Sequence, residues 1–366
     1  MFERREFIHG AAAIAAGSAL SLTAASAQAP TKGDPKGETP PPRDWADPST
    51  APYPDAAFEV FDPRFATYNA GTTSLRRIAS GGIFTEGPVW FGDQHRLIFS
   101  DIPKNQLFEY NTMTGEVRVF RDPSNYTNGN TRDWQGRLLS AEQGTRRVTR
   151  TEYDGSITVI ADKYEGKPLN SPNGVVVRKN DNAIYFTDPT YGIKGDHEGN
   201  KEEPELPRNV YRVDARSGAM SVVAGDFSMP NGLCFSPDGS KMYISDTGIL
   251  GGPEPKETLI RVYDVEEDGK LTNEKLFHDF KDTGTGIADD MRVDIDGNLW
   301  CAGGWSENKN FNGVSVFAPD GSALGRIVLP EVAANLCFGG HHHNTLYICA
   351  STSIYAIDVN TRGTEL

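Results

Sequence analysis

The chain has 366 residues, 37% of them hydrophobic and 10% aromatic, which suffices for a large core in one domain or two. Its 38 glycines and 23 prolines favour many short strands and turns over long helices. The formal net charge of −14 argues against nucleic acid or an anionic membrane as a partner, and it is compatible with cation binding.

Residues 1–27 have the pattern of an export signal rather than of folded structure. Arg4 and Arg5 precede a mildly apolar run over residues 10–22, and Ala25-Ser26-Ala27 offers a small-residue cleavage site. Paired arginines in this position are typical of twin-arginine export, and the apolar run is too short and too rich in Ala and Gly for a good membrane anchor. The sequence therefore predicts a periplasmic or secreted bacterial protein. Its contact with the export machinery would be transient, and it would not stay inserted in a membrane after cleavage.

Residues 28–57 are rich in proline and poor in apolar residues. Such a composition indicates a linker or an arm that follows the surface of the folded body. The body itself is predicted to start near Phe58, so residues 58–366 form one domain.

Four cysteines, Cys234, Cys301, Cys337 and Cys349, each lie in an apolar, strand-like run. Cys337 and Cys349 could face each other on neighbouring strands, and an oxidising compartment would permit a bridge. Four buried free thiols are the preferred interpretation. The chain has no CxxC or Cys/His metal spacing, which argues against zinc.

From residue 85 onwards a short unit recurs six times at intervals of about 40 to 60 residues. Each unit opens on a polar residue, continues with an apolar strand, a tight turn rich in Asp, Asn and Gly, and a second strand, and most units add two more strands. The opening residues are Glu86, Asn128, Asn173, Asn231, Asp289 and Asn335. Four antiparallel strands in each of six units predict an all-β, six-bladed β-propeller.

The last unit ends early, near residues 354–358, so its outer strand is predicted to come from the segment around Leu75-Arg76-Arg77-Ile78. In the resulting ring each opening residue lies where the chain enters an innermost strand, beside the central channel. Three long loops, 188–208, 247–258 and 303–312, should surround the mouth of that channel. They contain Tyr191, His197 and Trp305, which could form a substrate wall.

One Glu, one Asp and several Asn at one point form an oxygen-only site that suits a hard cation such as Ca²⁺. Buried carboxylates that face each other would repel and take up protons, and a divalent cation removes that conflict. The predicted ligands are Glu86, Asn173, Asn231 and Asp289. Such an ion can polarise a carbonyl or phosphoryl oxygen, and Asp289 could also take a proton from water. A structural channel ion, or a solvent-filled channel without catalysis, stays open as an alternative.

Four motif groups together resemble the senescence-marker-protein/gluconolactonase/luciferin-regenerating family. They are Thr85-Glu86-Gly87-Pro88-Val89-Trp90, Ser171-Pro172-Asn173-Gly174-Val175 with Tyr185-Phe186-Thr187-Asp188-Pro189, Pro230-Asn231-Gly232-Leu233 with Ser236-Pro237-Asp238-Gly239, and Met291-Arg292-Val293-Asp294 with Asp296-Gly297-Asn298-Leu299. The resemblance runs from about Leu75 to Val359. Gln135-Gly136-Arg137-Leu138 and Arg146-Arg147-Val148 make the bacterial gluconolactonases the most similar branch.

This resemblance implies a six-bladed propeller with a divalent cation, usually calcium, in its channel. The family's metal ligands correspond to Glu86, Asn231 and Asp289, and Asp289 is also the implied base. Asn173 is implied to contact the ion or the substrate, and Asn128 is at most a substrate contact.

Two positions depart from the family pattern. Asp290 stands where the family often has Gly, so it could add a ligand or take over as the base. Ser171 stands where the animal members have Arg, so their sugar-binding details do not carry over.

The implied reaction is hydrolysis of a sugar lactone, with D-glucono-1,5-lactone as the first candidate. The cation would polarise the carbonyl while Asp289 activates water, and Asn128, Asn173, Tyr191 and Trp305 would bind the substrate. One alternative is a calcium-dependent phosphotriesterase similar to diisopropyl fluorophosphatase. Another is a non-catalytic, extracytoplasmic ligand-binding propeller.

Overall fold

The computed structural model describes residues 43–47, 50–252, 256–281, 286–306 and 311–364. The expected signal peptide, residues 1–27, lies outside this part of the chain, as does most of the expected arm. Among the described residues, no helix has the length and apolar character needed to cross a membrane.

The described residues form six antiparallel sheets, or blades, and the strands of each blade follow one another from its inner to its outer edge. Blades 1 and 2 consist of Thr85–Phe91, Arg96–Asp101, Gln106–Asn111 and Val117–Arg121, then Thr127–Arg132, Leu138–Glu142, Arg147–Thr151 and Ile157–Ala161. Blades 3 and 4 consist of Val175–Val177, Ile184–Thr187, Val210–Val213 and Met220–Ala224, then Pro230–Phe235, Lys241–Asp246, Leu259–Val265 and Leu271–Asp279. Blades 5 and 6 consist of Ile287–Val293, Leu299–Gly304, Gly313–Phe317 and Ala323–Val328, then Ala333–Gly339, Thr345–Ala350, Ser353–Asp358 and Arg76–Ser80.

The remaining elements are short. A two-stranded hairpin, Lys163–Tyr164 with Lys167–Pro168, follows blade 2, and four 3₁₀ turns lie in connections at Pro63–Tyr68, Gly92–Gln94, Tyr191–Ile193 and Gly248–Leu250. The described residues therefore lie almost wholly in strands and loops, as the glycine and proline content predicts.

The six blades close into a ring. The inner strand of each blade contacts the inner strand of the next, and that of blade 6 contacts that of blade 1. Blade 6 takes its outer strand, Arg76–Ser80, from the start of the body, and this strand runs antiparallel to Ser353–Asp358. The predicted six-bladed propeller and its mode of closure are both confirmed. The sequence did not predict Phe58–Val60, which pairs with Ala323–Val328 as a fifth strand of blade 5.

The hydrophobic core lies between blades rather than within them. Tyr185 of blade 3 shares one buried cluster with Met242 of blade 4, and Trp300 of blade 5 packs edge-to-face on Phe338 of blade 6, with ring centroids 5.6 Å apart. Similar clusters fill the other spaces between successive blades. Because each blade needs both neighbours to bury its two faces, the ring behaves as one domain.

The described part of residues 28–57 lies against the propeller. Asp55 is buried, forms an ion pair with Arg43 at 2.9 Å, and accepts the backbone N–H of Leu75 at 2.8 Å. Trp45 packs edge-to-face on Tyr355 of blade 6, with ring centroids 5.4 Å apart. This stretch is fixed to the body at its polar and its aromatic residues.

All four cysteines are buried thiols outside any disulfide, which confirms the preferred interpretation. Cys337 lies opposite Tyr347 in the sheet, and Cys349 lies opposite Asn335. The expectation that Cys337 could face Cys349 is wrong, because the register between these strands offsets the two thiols along the sheet.

Candidate active site

In five of the six blades the opening polar residue lies at an irregularity of the inner strand. The strand register shifts between Glu86 and Val89 in blade 1, and between Ala288 and Met291 in blade 5. Blades 2, 4 and 6 show the same kind of shift. A bulge places an extra residue on one strand and redirects the side chains around it. The bulges therefore free these side chains from the regular alternation that faces the cores between blades.

Glycine follows the opening residue in four of the units because neighbouring inner strands approach closely there. A Cβ at Gly87 would collide with the carbonyl oxygen of Asn128, and a Cβ at Gly129 would collide with that of Asn173. At Gly232 it would lie 2.5 Å from Asp290 Oδ1 and 2.7 Å from the Asp289 carbonyl oxygen. Only a residue without a side chain lets the site-bearing strands meet at the channel.

Hydroxyl groups on second strands hold the backbone of the site residues. The Ser100 hydroxyl donates to the Asn128 carbonyl oxygen at 2.7 Å, and the Thr187 hydroxyl donates to that of Asn231 at 2.8 Å. The Ser245 hydroxyl donates to the Asp289 carbonyl oxygen at 3.0 Å. Each hydroxyl lies in the preceding blade, so the blades position one another's site residues.

These arrangements produce one cavity of about 270 Å³ at the channel. Except for His197, every residue that the sequence predicted as the base, as a cation ligand or as a substrate contact lines it. Its lining consists of Phe84, Glu86, Asn128, Asn173, Tyr191, Glu198, Asn231, Leu250, Asp289 and Trp305. Phe84, Glu198 and Leu250 were not predicted, and His197 does not line the cavity although its neighbour Glu198 does.

A hydrogen-bond network that extends away from the cavity holds the side chain of Glu86. Its Oε2 accepts the backbone N–H of Gly87 at 2.6 Å and the side-chain amide of Asn335 at 2.7 Å. The same amide donates to Asp290 Oδ2 at 2.7 Å, and Asp290 Oδ1 accepts from the Arg292 guanidinium at 2.8 Å. Asn335 therefore joins Glu86 to a buried ion pair and has a positioning role outside the cavity lining.

Asp290 is part of the hydrogen-bond network that holds Glu86, and it does not line the cavity. Besides the bonds to Arg292 and Asn335, its Oδ1 accepts the backbone N–H of Met291 at 2.6 Å. Its side chain is absent from the cavity lining. Where other units have Gly, blade 5 uses the side chain of Asp290 to neutralise the buried Arg292. Of the two neighbouring acids, Asp289 therefore lines the cavity and Asp290 does not.

Asp289 is oriented by the side chain of Asn231. The amide of Asn231 donates to its Oδ1 at 2.5 Å and also to the Thr247 hydroxyl at 3.0 Å. Trp305 lines the same cavity as Asp289, and its ring centroid lies 6.0 Å from that of the Phe84 ring. Trp305 has a φ of 58°, a left-handed conformation that is unusual for a bulky residue and is common at functional sites.

Burial and mutual repulsion raise the pKa values of the three buried carboxyl groups, Glu86, Asp289 and Asp290. Burial, followed by the negative charge of Asp290, raises the pKa of Asp289 to about 8. Burial, together with the charges of Asp289 and Asp290, raises the pKa of Glu86 well above its ordinary value. Burial also raises the pKa of Asp290, and the Arg292 guanidinium opposes that shift. The protein thus brings together acids that repel one another, which is the situation that a bound cation relieves.

The donor atoms fit a hard divalent cation such as Ca²⁺. The protein hydrogen bonds of Glu86 involve only its Oε2, so Oε1 is free to bind, and Asn128 Oδ1 is buried without a partner. Asn231 uses only its amide nitrogen in side-chain hydrogen bonds, which leaves its oxygen for the cavity. Within the described chain, no group of three or more His, Cys, Asp and Glu residues forms a metal site. The donor set is therefore carboxylate and amide oxygen, the type that calcium accepts.

Three comparisons place the chain among known proteins. Residues 84–352 match the profile of the SMP-30/Gluconolactonase/LRE-like region. A gluconolactonase from Zymomonas mobilis is 31% identical over 324 residues, which cover 83% of this chain and 86% of the relative. A solved gluconolactonase from Xanthomonas campestris has 32% identity and a TM-score of 0.74, with 82% of this chain and 94% of the other covered.

A more distant structure, the calcium-binding protein regucalcin from Agrobacterium tumefaciens, shares the fold. Its TM-score is 0.64 at 19% identity, with 80% of this chain and 95% of that chain covered. The resemblance predicted from the sequence motifs is confirmed, and the chain belongs to the SMP-30/Gluconolactonase/LRE-like family.

Proposed function

We propose that this protein is a lactonase that hydrolyses a sugar lactone, with D-glucono-1,5-lactone as the first candidate substrate. One observation carries the proposal: a single cavity of about 270 Å³ gathers Glu86, Asn231 and Asp289 with aromatic and amide side chains around them. Membership of a family that includes gluconolactonases supports it. The cavity is also of a size that suits one small molecule.

The reaction needs a base, and Asp289 has the right surroundings for that role. Its carboxylate lines the cavity, and the side-chain amide of Asn231 fixes its orientation. Asp289 takes a proton from a water molecule as the water oxygen forms a bond to the lactone carbonyl carbon. The ring C–O bond then breaks, and the proton passes to the ring oxygen, so lactone and water give the hydroxy acid.

A divalent cation in this cavity would be held by Glu86, Asn173, Asn231 and Asp289. When bound, it would keep the carboxylates ionised, polarise the carbonyl and stabilise the negative charge that develops on its oxygen. The amides of Asn128 and Asn173, which make no side-chain hydrogen bonds to other described residues, remain available for the substrate or the ion. Tyr191 and Trp305 form the walls beside them.

A substrate panel tests this proposal. Purified protein with calcium added is assayed with D-glucono-1,5-lactone, with a pentonolactone and with diisopropyl fluorophosphate, and acid release is measured above the uncatalysed rate. We expect turnover of the lactones and little or none of the organophosphate. Turnover of the organophosphate alone would replace the lactonase with a phosphotriesterase. No turnover of any compound would favour a binding protein.

A further inference from the structure

Glu198 is a carboxylate in the cavity that the mechanism above does not use. It comes from the long loop after the second strand of blade 3 and lines the same cavity as Asp289. The two carboxylates are near enough that the charge of Glu198 contributes to the raised pKa of Asp289. Burial raises the pKa of Glu198 itself, while nearby His197 and Lys194 oppose that shift. Glu198 is therefore partly buried and lines the cavity together with Asp289.

Hydrogen bonds and a close backbone contact fix the loop that carries Glu198. The backbone N–H of Asn200 donates to the Gly192 carbonyl oxygen at 3.0 Å, and that of Glu202 donates to the Ile193 carbonyl oxygen at 3.0 Å. A Cβ at position 199 would collide with Gly192, so the residue after Glu198 must be glycine for the loop to close in this way.

Contacts to neighbouring blades fix the same loop. The Asn200 side-chain amide donates to the Gly144 carbonyl oxygen of the connection in blade 2 at 2.8 Å. On the other side, Tyr191 is hydrogen bonded to Thr247 at 2.7 Å, and Lys194 Nζ donates to the Leu250 carbonyl oxygen at 3.3 Å. The position of Glu198 is thus set by contacts on both sides of blade 3.

The Glu198 carboxylate has acceptor capacity that the protein does not use. No side chain or backbone N–H among the described residues donates a hydrogen bond to it. The ten residues that line the cavity include three carboxylates and neither Lys nor Arg. A neutral ligand with several hydroxyl groups matches this lining, because hydroxyls can donate to carboxylates, whereas an anionic ligand would be repelled.

We propose that Glu198 is a specificity-determining residue that accepts hydrogen bonds from substrate hydroxyl groups and selects uncharged, polyhydroxylated lactones. This inference rests on the proposed lactonase function and assigns one residue of the cavity to the choice among its substrates. In this arrangement Asp289 acts at the lactone carbonyl, and Glu198 binds the hydroxylated part of the ring. A hydrogen bond to a charged group is strong enough to change discrimination about tenfold.

The test compares wild type and Glu198→Gln on two neutral lactones. D-Glucono-1,5-lactone carries hydroxyl groups, and δ-valerolactone has the same ring without them. We expect the substitution to lower the ratio of kcat/KM for gluconolactone to kcat/KM for δ-valerolactone about tenfold, mainly through KM for gluconolactone. Wild type should also disfavour 6-phospho-D-glucono-1,5-lactone, and Glu198→Gln should reduce that bias. Glu202→Gln, an exposed residue of the same loop, serves as the matched control and should leave the ratio unchanged.

The outcomes separate this inference from the proposed function. If wild type hydrolyses neither lactone, the proposed function is wrong. If wild type is active and Glu198→Gln lowers kcat for both lactones to the same extent, Glu198 acts in proton transfer or in folding, and the specificity role is overturned. An unchanged ratio with unchanged rates overturns it as well. The melting temperature of each variant shows whether the loop still folds.

Discussion

Replacing Asp289 by Asn should lower kcat for D-glucono-1,5-lactone about 1000-fold, because the amide keeps the shape of the side chain but cannot take a proton from water. The loss should appear in kcat more than in KM, since Glu86 and the amide-bearing residues of the cavity stay in place. Initial rates of acid release, corrected for uncatalysed hydrolysis, give both constants.

Asp290→Asn is the matched control for that substitution. It lies next in the chain and is equally buried, but its oxygens bind Arg292, Asn335 and the Met291 backbone N–H instead of facing the cavity. Removing its charge weakens a buried ion pair, which should lower the free energy of unfolding by about 3 kcal/mol. The rate per folded molecule should fall far less than in Asp289→Asn. A larger loss of kcat in Asp290→Asn would reverse the assignment of the base.

The second large effect concerns folding at the channel. Gly232→Ala should lower the free energy of unfolding by about 3 kcal/mol. The added methyl group would lie 2.5 Å from Asp290 Oδ1 and 2.7 Å from the carbonyl oxygen of Asp289. Relief requires movement of the strand that carries both residues, so activity should fall together with stability. Denaturant unfolding measures the first effect and steady-state kinetics the second.

Gly195→Ala provides the comparison for that glycine. A Cβ at position 195 meets nothing within 4 Å, and its backbone needs no left-handed conformation. This substitution should change the free energy of unfolding by only a few tenths of a kcal/mol. If Gly232→Ala is as stable as Gly195→Ala, the inner strands are not packed as closely as the structure shows.

The sequence predicted the ring and its lining well, for a physical reason. A polar residue before an apolar strand, repeated six times, can satisfy its hydrogen bonds only at a channel or a surface, so Glu86, Asn231 and Asp289 were recognisable together from their place in the repeat. The short sixth unit also required an outer strand from elsewhere, and the segment around Arg76 was the available one. These inferences depend on local patterns and on chain connectivity.

Other features depend on contacts between distant parts of the chain and were missed. Glu198 rather than His197 faces the cavity because Asn200 is tied to Gly192 and Gly144, and no local pattern reveals those bonds. The role of Asp290 follows from Arg292 and from Asn335 of the next blade. The extra strand Phe58–Val60 pairs with a strand far along the chain, and its short length gives little signal.

The most direct test of the proposed mechanism is the dependence of lactone hydrolysis on a divalent cation. Protein freed of metal by chelation, with the removal checked by elemental analysis, is assayed with D-glucono-1,5-lactone before and after Ca²⁺ is added back. The mechanism predicts that hydrolysis falls to the uncatalysed rate and returns when calcium binds at one site per chain. Full activity in metal-free protein would contradict it.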